Sequence, residues 1–389
     1  MITIVFLFTL HACLSGSIIY YLMNLAIQII AYNRIESLKR VLSSISSAYF
    51  DQNVTLIISI DKSDTNVVEN YADEYEWKYG NKIVIKHSEN LGLRKHVLEC
   101  GDRVNDYDGM IVLEDDITVS ESFFIYAKQC IGKFKDNLDV AGISLYGFPL
   151  NYQNLLPFMP LKSDSDVYLM KCAQSWGQVW MPKQWNEFRE WYKNNSEEFC
   201  EKTYLPHAIC RWPQSSWLKY HTRYCIENNK YFVYPYVSLS TNNGDAGTHV
   251  NKRDSSFQAN LLFGVKRDFV LNPTIKYDGF FENEMLMSYL GYEDVCIDFY
   301  GEKQNRTKNR YWLTRKKMNY KILCSYALEC KPYEYNIINN NLGSDLFLYD
   351  TSEFFKNKFN MNFGCFLKYI YNIYSFKKIL SFFKCSFFE

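Results

Sequence analysis

The sequence predicts an α/β fold in which a mostly parallel sheet carries helices on both faces. Three observations point to it. Apolar, β-branched runs alternate with segments of helical spacing from residue 23 onward. Two of those runs end in acidic side chains, at the position where open sheets of this kind bind their ligands. After about residue 140 the periodicity weakens and Trp, Pro, Tyr and Asn become frequent, which predicts a loop-rich second half.

The first half divides into alternating strands and helices. The predicted strands are the runs Leu25–Ala31, Val54–Ile60, Lys82–His87 and Gly109–Leu113. The predicted helices that follow them are Arg34–Ser47, Asn66–Lys78, Leu93–Val104 and Ser120–Phe134. Buried strands separated by helices favour parallel pairing, so the carboxyl ends of these strands should lie along one edge of the sheet.

The composition excludes several classes of protein. The 389 residues are 48% hydrophobic and 22% charged, which excludes a wholly disordered chain, a collagen and a multi-span membrane protein. The 43 basic and 43 acidic residues balance, and we expect no nucleic-acid partner. The 12 cysteines include no C-x-x-C pair, so we interpret them mainly as buried thiols in a reducing compartment; a disulfide-bearing secreted enzyme is the alternative.

Both ends of the chain are apolar. Residues 1–22 hold no charged side chain and could span a membrane once, but they run directly into the first predicted strand. We therefore prefer Met23 as the natural start, with an N-terminal anchor or signal as the alternative. Residues 355–388 hold six lysines, twelve aromatic residues and no acid, which is typical of a helix at a membrane surface; a helix packed on the body is the alternative. We expect a cytoplasmic protein, peripheral to the inner face of a membrane.

The clearest chemical signal is the acidic triplet Glu114-Asp115-Asp116, which directly follows the fourth predicted strand. Adjacent carboxylates repel one another, and a divalent cation relieves that repulsion. Oxygen ligands suit Mg²⁺ or Mn²⁺, which commonly bind one or two carboxylates together with substrate phosphates. A solvated acidic turn is the alternative, but the position at the end of a strand favours a metal site that holds a diphosphate.

Five segments resemble one protein family, in the same order along the chain. LEDDITVSESFFIYA is similar to the metal-binding segment of N-acetylglucosaminyltransferase I and its relatives, which are inverting glycosyltransferases of the GT-A fold. The other segments are IIAYNRIESLKRVL, LIISIDKSD, QSWGQVWMPKQWNEFREWY and VSLSTNNGDAGTH. Bacterial family-2-like polysaccharide glycosyltransferases look similar too. The resemblance covers about residues 24–260 and implies a GT-A fold; to it we add a loop-rich acceptor half and a C-terminal helical extension.

The resemblance implies a role for each matching residue at the ends of the strands. Asp116 is the expected ligand of Mn²⁺ or Mg²⁺, and Glu114 and Asp115 would contact the ribose or support the site. Asp61 would accept a hydrogen bond from the uracil ring, with a turn cap as its alternative. Arg34 would lie near the nucleotide, with a surface charge as its alternative.

Three further residues extend the implied donor site. Arg94 would lie near the phosphates at the start of a helix. Trp176 would stack on the sugar, with a core position as its alternative. His249 would contact the diphosphate or the metal, with a structural loop position as its alternative.

The catalytic base is the residue that the resemblance assigns least directly. The family supplies an Asp just after a Pro-Lys pair, whereas here Pro182-Lys183 precedes QWNEFREW, which has no Asp. Glu190 is the first choice, Glu187 the second and Asp245 the third, because inverting transfer needs one carboxylate to take the acceptor's proton. Both glutamates could instead be solvated helix positions.

Together these features predict transfer of a sugar, an N-acetylhexosamine or a hexose, from a UDP-sugar to a saccharide or lipid-linked saccharide, with inversion, in surface polysaccharide or glycan synthesis. The expected regions are an apolar leader (1–22), a nucleotide-sugar-binding half (23–140), an acceptor-binding and catalytic half (141–305) and a C-terminal extension (306–389). Two alternatives stay open. A sugar nucleotidyltransferase would show a Gly-rich basic loop after the first strand, and a non-catalytic carbohydrate-binding protein would need the aromatic residues alone.

Overall fold

The computed structural model describes residues 23–200, 202–245, 254–303 and 309–359. The strands of the first sheet region are β1 (Leu25–Ala31), β2 (Thr55–Ile60), β3 (Lys82–Lys86), β4 (Gly109–Glu114), β5 (Ile117–Val119), β6 (Val140–Ser144), β7 (Val167–Met170), β8 (Gln178–Trp180), β9 (Tyr231–Pro235), β10 (Ser240–Asn242) and β11 (Lys276–Tyr277). The later strands are β12 (Val295–Asp298), β13 (Tyr311–Thr314), β14 (Tyr320–Tyr326) and β15 (Leu346–Phe354).

Helices separate most of these strands. They are α1 (Ile35–Ser46), α2 (Val67–Glu74), α3 (Leu93–Asp102), α4 (Phe123–Phe134), α5 (Pro182–Lys193), α6 (His207–Arg211), α7 (Leu218–Glu227), α8 (Met287–Leu290) and α9 (Glu334–Ile338). Short 3₁₀ turns at Arg103–Asp106 and Glu284–Leu286 complete the set within the described residues. The predicted α/β fold with a large central sheet is confirmed.

In the described part of the chain, the main sheet has nine strands in the order β11-β7-β9-β6-β8-β4-β1-β2-β3. Strands β4, β1, β2 and β3 are parallel neighbours, as the alternating pattern predicts. Strand β8 is inserted antiparallel between β4 and β6, which joins the second half of the chain to the same sheet. A short antiparallel ribbon of β5 and β10 lies beyond the end of β4.

The main sheet buries both of its faces under helices. Ile27 and Ile29 of β1 belong to one hydrophobic cluster, which α1, α2 and α4 complete. Ala26 and Ile30 of the same strand belong to a second cluster, which α3, α5 and α7 complete. Side chains alternate between the two faces of a strand, so a strand covered on both sides becomes a continuous apolar run.

The expected C-terminal helical extension is wrong for residues 309–359. These residues and β12 form a four-stranded sheet in the order β12-β13-β15-β14, and the one helix within residues 309–359 is the short α9. The alternation in β15 gives the physical reason, because Leu346 and Leu348 pack into one apolar cluster while Phe347 and Tyr349 pack into another. A period of two residues specifies a strand rather than a helix.

The two apolar ends, residues 1–22 and 360–389, lie outside the described residues, as does His249. Among the residues that the structure does describe, no helix combines the length and apolar character needed to cross a bilayer. Nine described cysteines are free thiols, and six of them are buried.

Candidate active site

The carboxyl ends of β1, β2 and β4 bring the predicted donor-site residues together. Ala31 pairs with Ile60 across β1 and β2, and Ile30 pairs with Glu114 across β1 and β4. The strands end in register, so Asp61 and Asp115 follow on either side of the end of β1. Their backbone N–H groups donate to the carbonyls of Ala31, at 3.0 Å, and Ile30, at 3.1 Å. One edge of the sheet therefore carries the acids that the sequence singled out.

Arg34 connects two members of the acidic triplet. It lies directly before α1, and its guanidinium donates to both carboxylate oxygens of Asp115. Its Nη1 also donates to Oδ2 of Asp116 at 3.2 Å. The second oxygen of Asp116, Oδ1, is buried and has no hydrogen-bond partner among the described residues. A buried carboxylate oxygen without a partner is costly, so this atom fits a ligand supplied from outside the chain.

The electrostatics of the triplet favour an added positive charge. Burial, together with repulsion from Asp116 and Asp115, raises the pKa of Glu114 to about 8. Burial also raises the pKa of Asp115 to about 6, although Arg34 opposes this shift. Burial lowers the pKa of Arg34, but the carboxylates of Asp115 and Asp116 outweigh it and hold that pKa above its ordinary value. The positive charge of Arg34 thus compensates only part of the negative charge of the three carboxylates.

A divalent cation fits at Asp116, with most of its ligands coming from elsewhere. Within the described ranges, no group of three or more His, Cys, Asp or Glu side chains is arranged to hold a metal ion. Mg²⁺ and Mn²⁺ can be bound through a single protein carboxylate when substrate phosphates and water supply the other ligands. The unpaired Oδ1 of Asp116 is the atom on this edge that meets that requirement.

Asp61 anchors the loop that leads into α3. Its Oδ1 accepts from the backbone N–H groups of Lys62, at 2.9 Å, and Leu91, at 2.8 Å. Its Oδ2 accepts from the N–H of Gly92 at 3.0 Å, and Asp61 is only 4% exposed. Gly92 has a φ of 73°, a left-handed conformation that glycine adopts without strain. Asp61 therefore shapes this edge of the site, and Oδ2 retains room for one more donor.

Arg94 lies in the first turn of α3 but is directed toward α7. Its Nη1 donates to the hydroxyl of Tyr220 at 3.1 Å, and its guanidinium lies 5.3 Å from the centre of the same ring. The structure thus pairs Arg94 with α7 rather than with the acidic triplet. Its predicted phosphate contact stays a prediction.

Trp176 lies at the same edge of the sheet because β8 runs antiparallel to β4. Its ring packs edge-on against Tyr146 at 4.9 Å and lies 5.5 Å from Phe257. Gly177 has a φ of 96°, and a Cβ there would lie 2.7 Å from Oγ of Ser240. That hydroxyl donates to the Trp176 carbonyl at 2.5 Å. Glycine is therefore required for the chain to turn so close to β10, and the turn fixes the position of Trp176.

Asn243 is a site residue that the sequence analysis missed. Its backbone N–H and its Nδ2 both donate to the Asp116 carbonyl, at 2.9 and 2.8 Å. Its Oδ1 accepts from the Thr118 hydroxyl at 3.1 Å. These contacts fix the backbone of the acidic turn from a segment far away in the sequence. The Asn-Asn-Gly run was a turn signal, but no spacing rule connects it with Asp116.

Asp245 belongs to the same segment and is tied to α1. Its Oδ2 accepts from the Ser37 hydroxyl at 2.8 Å and forms an ion pair with Arg40. One residue earlier, the Gly244 carbonyl accepts from the N–H of Asp254 at 3.0 Å. Asp245 is therefore placed beside the helix that Arg34 precedes, on the same edge as the acidic triplet.

The chain leaves β8 at the opposite end of the sheet. Trp180, the last residue of β8, lies opposite Met110 near the start of β4, and Gln178 lies opposite Val112. Helix α5 begins two residues after β8 ends, so it starts beside the amino end of β4. Four residues of extended strand, roughly 13 Å, separate Met110 from Glu114.

Glu187 and Glu190 of α5 pair with lysines and not with residues of the acidic triplet. Oε2 of Glu187 accepts from Nζ of Lys230 at 2.8 Å. Lys230 lies directly before β9, and therefore at the end of the sheet where β4 begins. Glu190 pairs with Lys193 at 2.6 Å, and both side chains are 69% exposed. Antiparallel insertion of β8 is the physical reason for the position of Glu187, since it starts α5 beside the amino end of β4.

Comparison with known proteins agrees with this geometry. Residues 26–153 match the family described as Glycosyl transferase family 2, which includes β1, β2, β4 and the acidic triplet. This part of the chain therefore resembles family 2 glycosyltransferases. The resemblance to GT-A glycosyltransferases that the sequence motifs predict is thus confirmed, at the level of the wider family rather than of N-acetylglucosaminyltransferase I. No curated protein matches the sequence.

Solved structures of glycosyltransferases also align with the chain. The mannosyltransferase PcManGT from Pyrobaculum calidifontis, solved with GDP-Man and Mn²⁺, is 12% identical, with a TM-score of 0.35, over 56% of this chain and 58% of that one. S. aureus TarS 1-349 is 13% identical, with a TM-score of 0.31, over 56% and 60%. GalNAc-T7, solved with UDP, GalNAc and Mn²⁺, is 13% identical, with a TM-score of 0.37, over 57% and 43%. The chain thus spans less than two thirds of each of these structures.

Proposed function

We propose that this chain transfers a sugar from a UDP-sugar to a hydroxyl of a saccharide or lipid-linked saccharide, with inversion at the anomeric carbon. The observation that carries the proposal is the state of the Asp116 carboxylate at the end of β4. One of its oxygens is held by Arg34, and the other is buried without a partner. Open α/β sheets bind ligands at this edge, and the family match over residues 26–153 supports the transferase class.

Asp116 would hold a Mn²⁺ or Mg²⁺ ion through its Oδ1. When bound, such an ion stabilises the negative charge that develops on the leaving diphosphate. The chain's own residues surround the position: Arg34 contacts Oδ2 of Asp116, and Asn243 fixes the Asp116 backbone through the carbonyl. Asp61 holds the adjoining loop at the start of α3.

In the proposed reaction the acceptor oxygen attacks the anomeric carbon on the face opposite the diphosphate. A new carbon–oxygen bond forms, the bond to the diphosphate oxygen breaks with its electron pair, and UDP leaves. The acceptor's proton passes to a carboxylate. Of the three candidate bases, Asp245 is tied to α1 beside the acidic triplet, whereas Glu187 pairs with Lys230 at the other end of the sheet and Glu190 pairs with exposed Lys193, so we place Asp245 first.

The acceptor and the setting are proposed from the composition of the tail. Lysines and aromatic residues without acids are typical of segments that lie at an anionic membrane surface. A lipid-linked saccharide acceptor would be presented at such a surface. We therefore propose a transferase of surface polysaccharide or glycan synthesis that acts at the inner face of a membrane.

A donor screen tests the proposal. Nucleotide release would be measured from UDP-, GDP-, CMP- and dTDP-sugars, with Mn²⁺ and with EDTA. We expect slow, metal-dependent hydrolysis of one UDP-sugar, which Asp116→Asn lowers on the order of a hundredfold. Asp73→Asn is the matched control, because Asp73 is an exposed carboxylate of α2 that pairs with Lys86 on the outer strand β3.

Each outcome of the screen has a defined meaning. Turnover that is unchanged in Asp116→Asn, with the fold intact by circular dichroism, would contradict the metal assignment. Sugar binding without any dependence on nucleotide or metal would favour a carbohydrate-binding protein. Formation of a nucleotide sugar from a sugar phosphate and a nucleoside triphosphate would favour a sugar nucleotidyltransferase.

A further inference from the structure

Arg34 occupies the place beside the acidic turn where an added cation would act. Its guanidinium makes contacts with both oxygens of Asp115 and one oxygen of Asp116. We propose that Arg34 is the resident cation of this turn and that nucleotide diphosphate draws it away, so that the divalent ion binds the nucleotide complex far more tightly than the free protein. This inference rests on the proposed function and specifies the order in which its site is filled.

The contacts of Asp116 carry the first step. Oδ2 accepts from Arg34 at 3.2 Å, while Oδ1 is buried without a partner among the described residues. An ion on Oδ1 therefore shares one carboxylate with a guanidinium. Two cations on one carboxylate repel each other, and the repulsion is strong because Asp115 and Asp116 have only 6% and 18% of their side chains exposed. Arg34 thus weakens binding of the ion to the free protein.

The position of Arg34 supplies the second step. It is the residue directly before α1, its side chain is 26% exposed, and no side chain caps the start of that helix. The free N–H groups of a helix start attract phosphate, and a guanidinium binds phosphate oxygens in pairs. A diphosphate at this edge therefore competes with Asp115 and Asp116 for Arg34. Once the guanidinium turns to the diphosphate, Asp116 is left for the ion.

Coupling between the two ligands follows from thermodynamic linkage. If nucleotide removes a cation from Asp116, it tightens binding of the ion, and the ion tightens binding of nucleotide by the same factor. If Arg34 only held the acidic turn in place, the result would differ. Its removal would then loosen the turn and weaken binding of the ion with and without nucleotide. The sign of the change in the free protein therefore separates the two roles.

Direct binding measurements on the full chain test this inference. Mn²⁺ affinity would be measured by electron paramagnetic resonance and by calorimetry, with and without saturating UDP, for wild type, Arg34→Gln and Arg34→Lys. We expect UDP to tighten Mn²⁺ binding by on the order of tenfold or more in wild type. In Arg34→Gln, Mn²⁺ should bind the free protein several-fold more tightly, and UDP should add little. Arg34→Lys, which keeps the charge without the fork of donors, should be intermediate.

Two controls make the outcomes separable. Lys39→Gln changes a charge on α1 that pairs with Glu36, away from the triplet, and should leave both affinities unchanged. Asp116→Asn should abolish Mn²⁺ binding. Wild-type protein that binds neither Mn²⁺ nor UDP would overturn the proposed function itself. Wild-type protein that binds both, with the same coupling in a folded Arg34→Gln variant, would overturn the role of Arg34 alone. Weaker Mn²⁺ binding to free Arg34→Gln would also overturn it.

Discussion

His221 shows what burial does to a single polar side chain outside the site. It is fully buried in α7, its ring stacks on Phe188 with centroids 4.1 Å apart, and neither ring nitrogen has a partner among the described residues. Burial lowers its pKa to about 3. The ring is therefore neutral in the folded protein above about pH 3.

We predict that His221→Phe makes the protein more resistant to acid. Unfolded histidine has a pKa near 6.5, so below that pH the unfolded chain takes up a proton that folded His221 cannot take up until about pH 3. Stability is lost across that window as the pH falls, by about 2 kcal/mol at pH 5. The phenyl ring fills a similar space and leaves no buried nitrogen unpaired.

Thermal unfolding at pH 5 and pH 8 measures this effect, with the higher pH as the internal control. The melting temperature of His221→Phe should exceed that of wild type by more at pH 5 than at pH 8. An equal difference at both pH values would show that packing, not protonation, determines the result.

Residues at strand ends could be predicted from the sequence, and residues that reach the site from distant segments could not. Arg34, Asp61 and Asp116 follow β1, β2 and β4, and parallel strands in register bring such residues to one edge. Asn243 contacts Asp116 across 127 positions of the sequence, a distance over which no local pattern carries information. The two bonds that it makes to a single carbonyl are visible only in the folded chain.

The helices and strands of the first half have a strong sequence signal because of the way in which each is buried. Strands β1, β2 and β4 are covered on both faces and each helix on one, so continuous apolar runs are well separated from apolar periods of three to four residues. The direction of β8 has no such signal, because a three-residue strand reads the same whether it is parallel or antiparallel. That reversal starts α5 at the amino end of β4, where Glu187 pairs with Lys230.

At the scale of elements, the ion pair between Arg40 and Asp245 joins α1 to the segment after β10. We predict that Arg40→Ala lowers kcat of the proposed transfer by about tenfold, because small displacements of site residues are costly to catalysis. The fold should be retained, since Arg40 is 37% exposed. Steady-state kinetics with a fixed acceptor, together with a melting curve, would measure both effects.

The neighbouring Lys39 gives a matched control for this prediction. It lies on the same helix and pairs with Glu36, whose side chain is 72% exposed, so Lys39→Ala should leave kcat unchanged. Arg40→Lys should restore part of the activity by keeping the charge. A folded Arg40→Ala variant with wild-type kcat would show that the position of this segment does not depend on α1.

The molecule as a whole combines the main sheet with a smaller C-terminal sheet, whose existence the sequence analysis did not anticipate. Strand β14 is mostly half-buried, and its pairing with β15 contains register shifts, so its alternation is weak as a pattern. The last described residues return to this sheet: the N–H of Phe355 donates to the Asn319 carbonyl, and the ring of Phe359 lies 5.2 Å from that of Phe347. A truncation after Phe359 therefore removes residues 360–389 of the basic aromatic tail and leaves the described strands of this sheet complete.

This boundary makes the proposed membrane role of the tail testable in isolation. Chains that start at Met23 and end at Glu389 or at Phe359 would be sedimented with vesicles of phosphatidylcholine alone or mixed with phosphatidylglycerol. Each lysine near an anionic surface contributes about 1 kcal/mol to membrane binding, and residues 360–389 hold four lysines. The longer chain should therefore sediment with the vesicles that contain phosphatidylglycerol and not with those of phosphatidylcholine. High salt should release it. The shorter chain should stay in solution with an unchanged melting temperature and an unchanged rate on a water-soluble acceptor. Equal sedimentation of both chains would place the membrane contact on the folded body, and the lipid-linked acceptor would then have to approach a surface other than the tail.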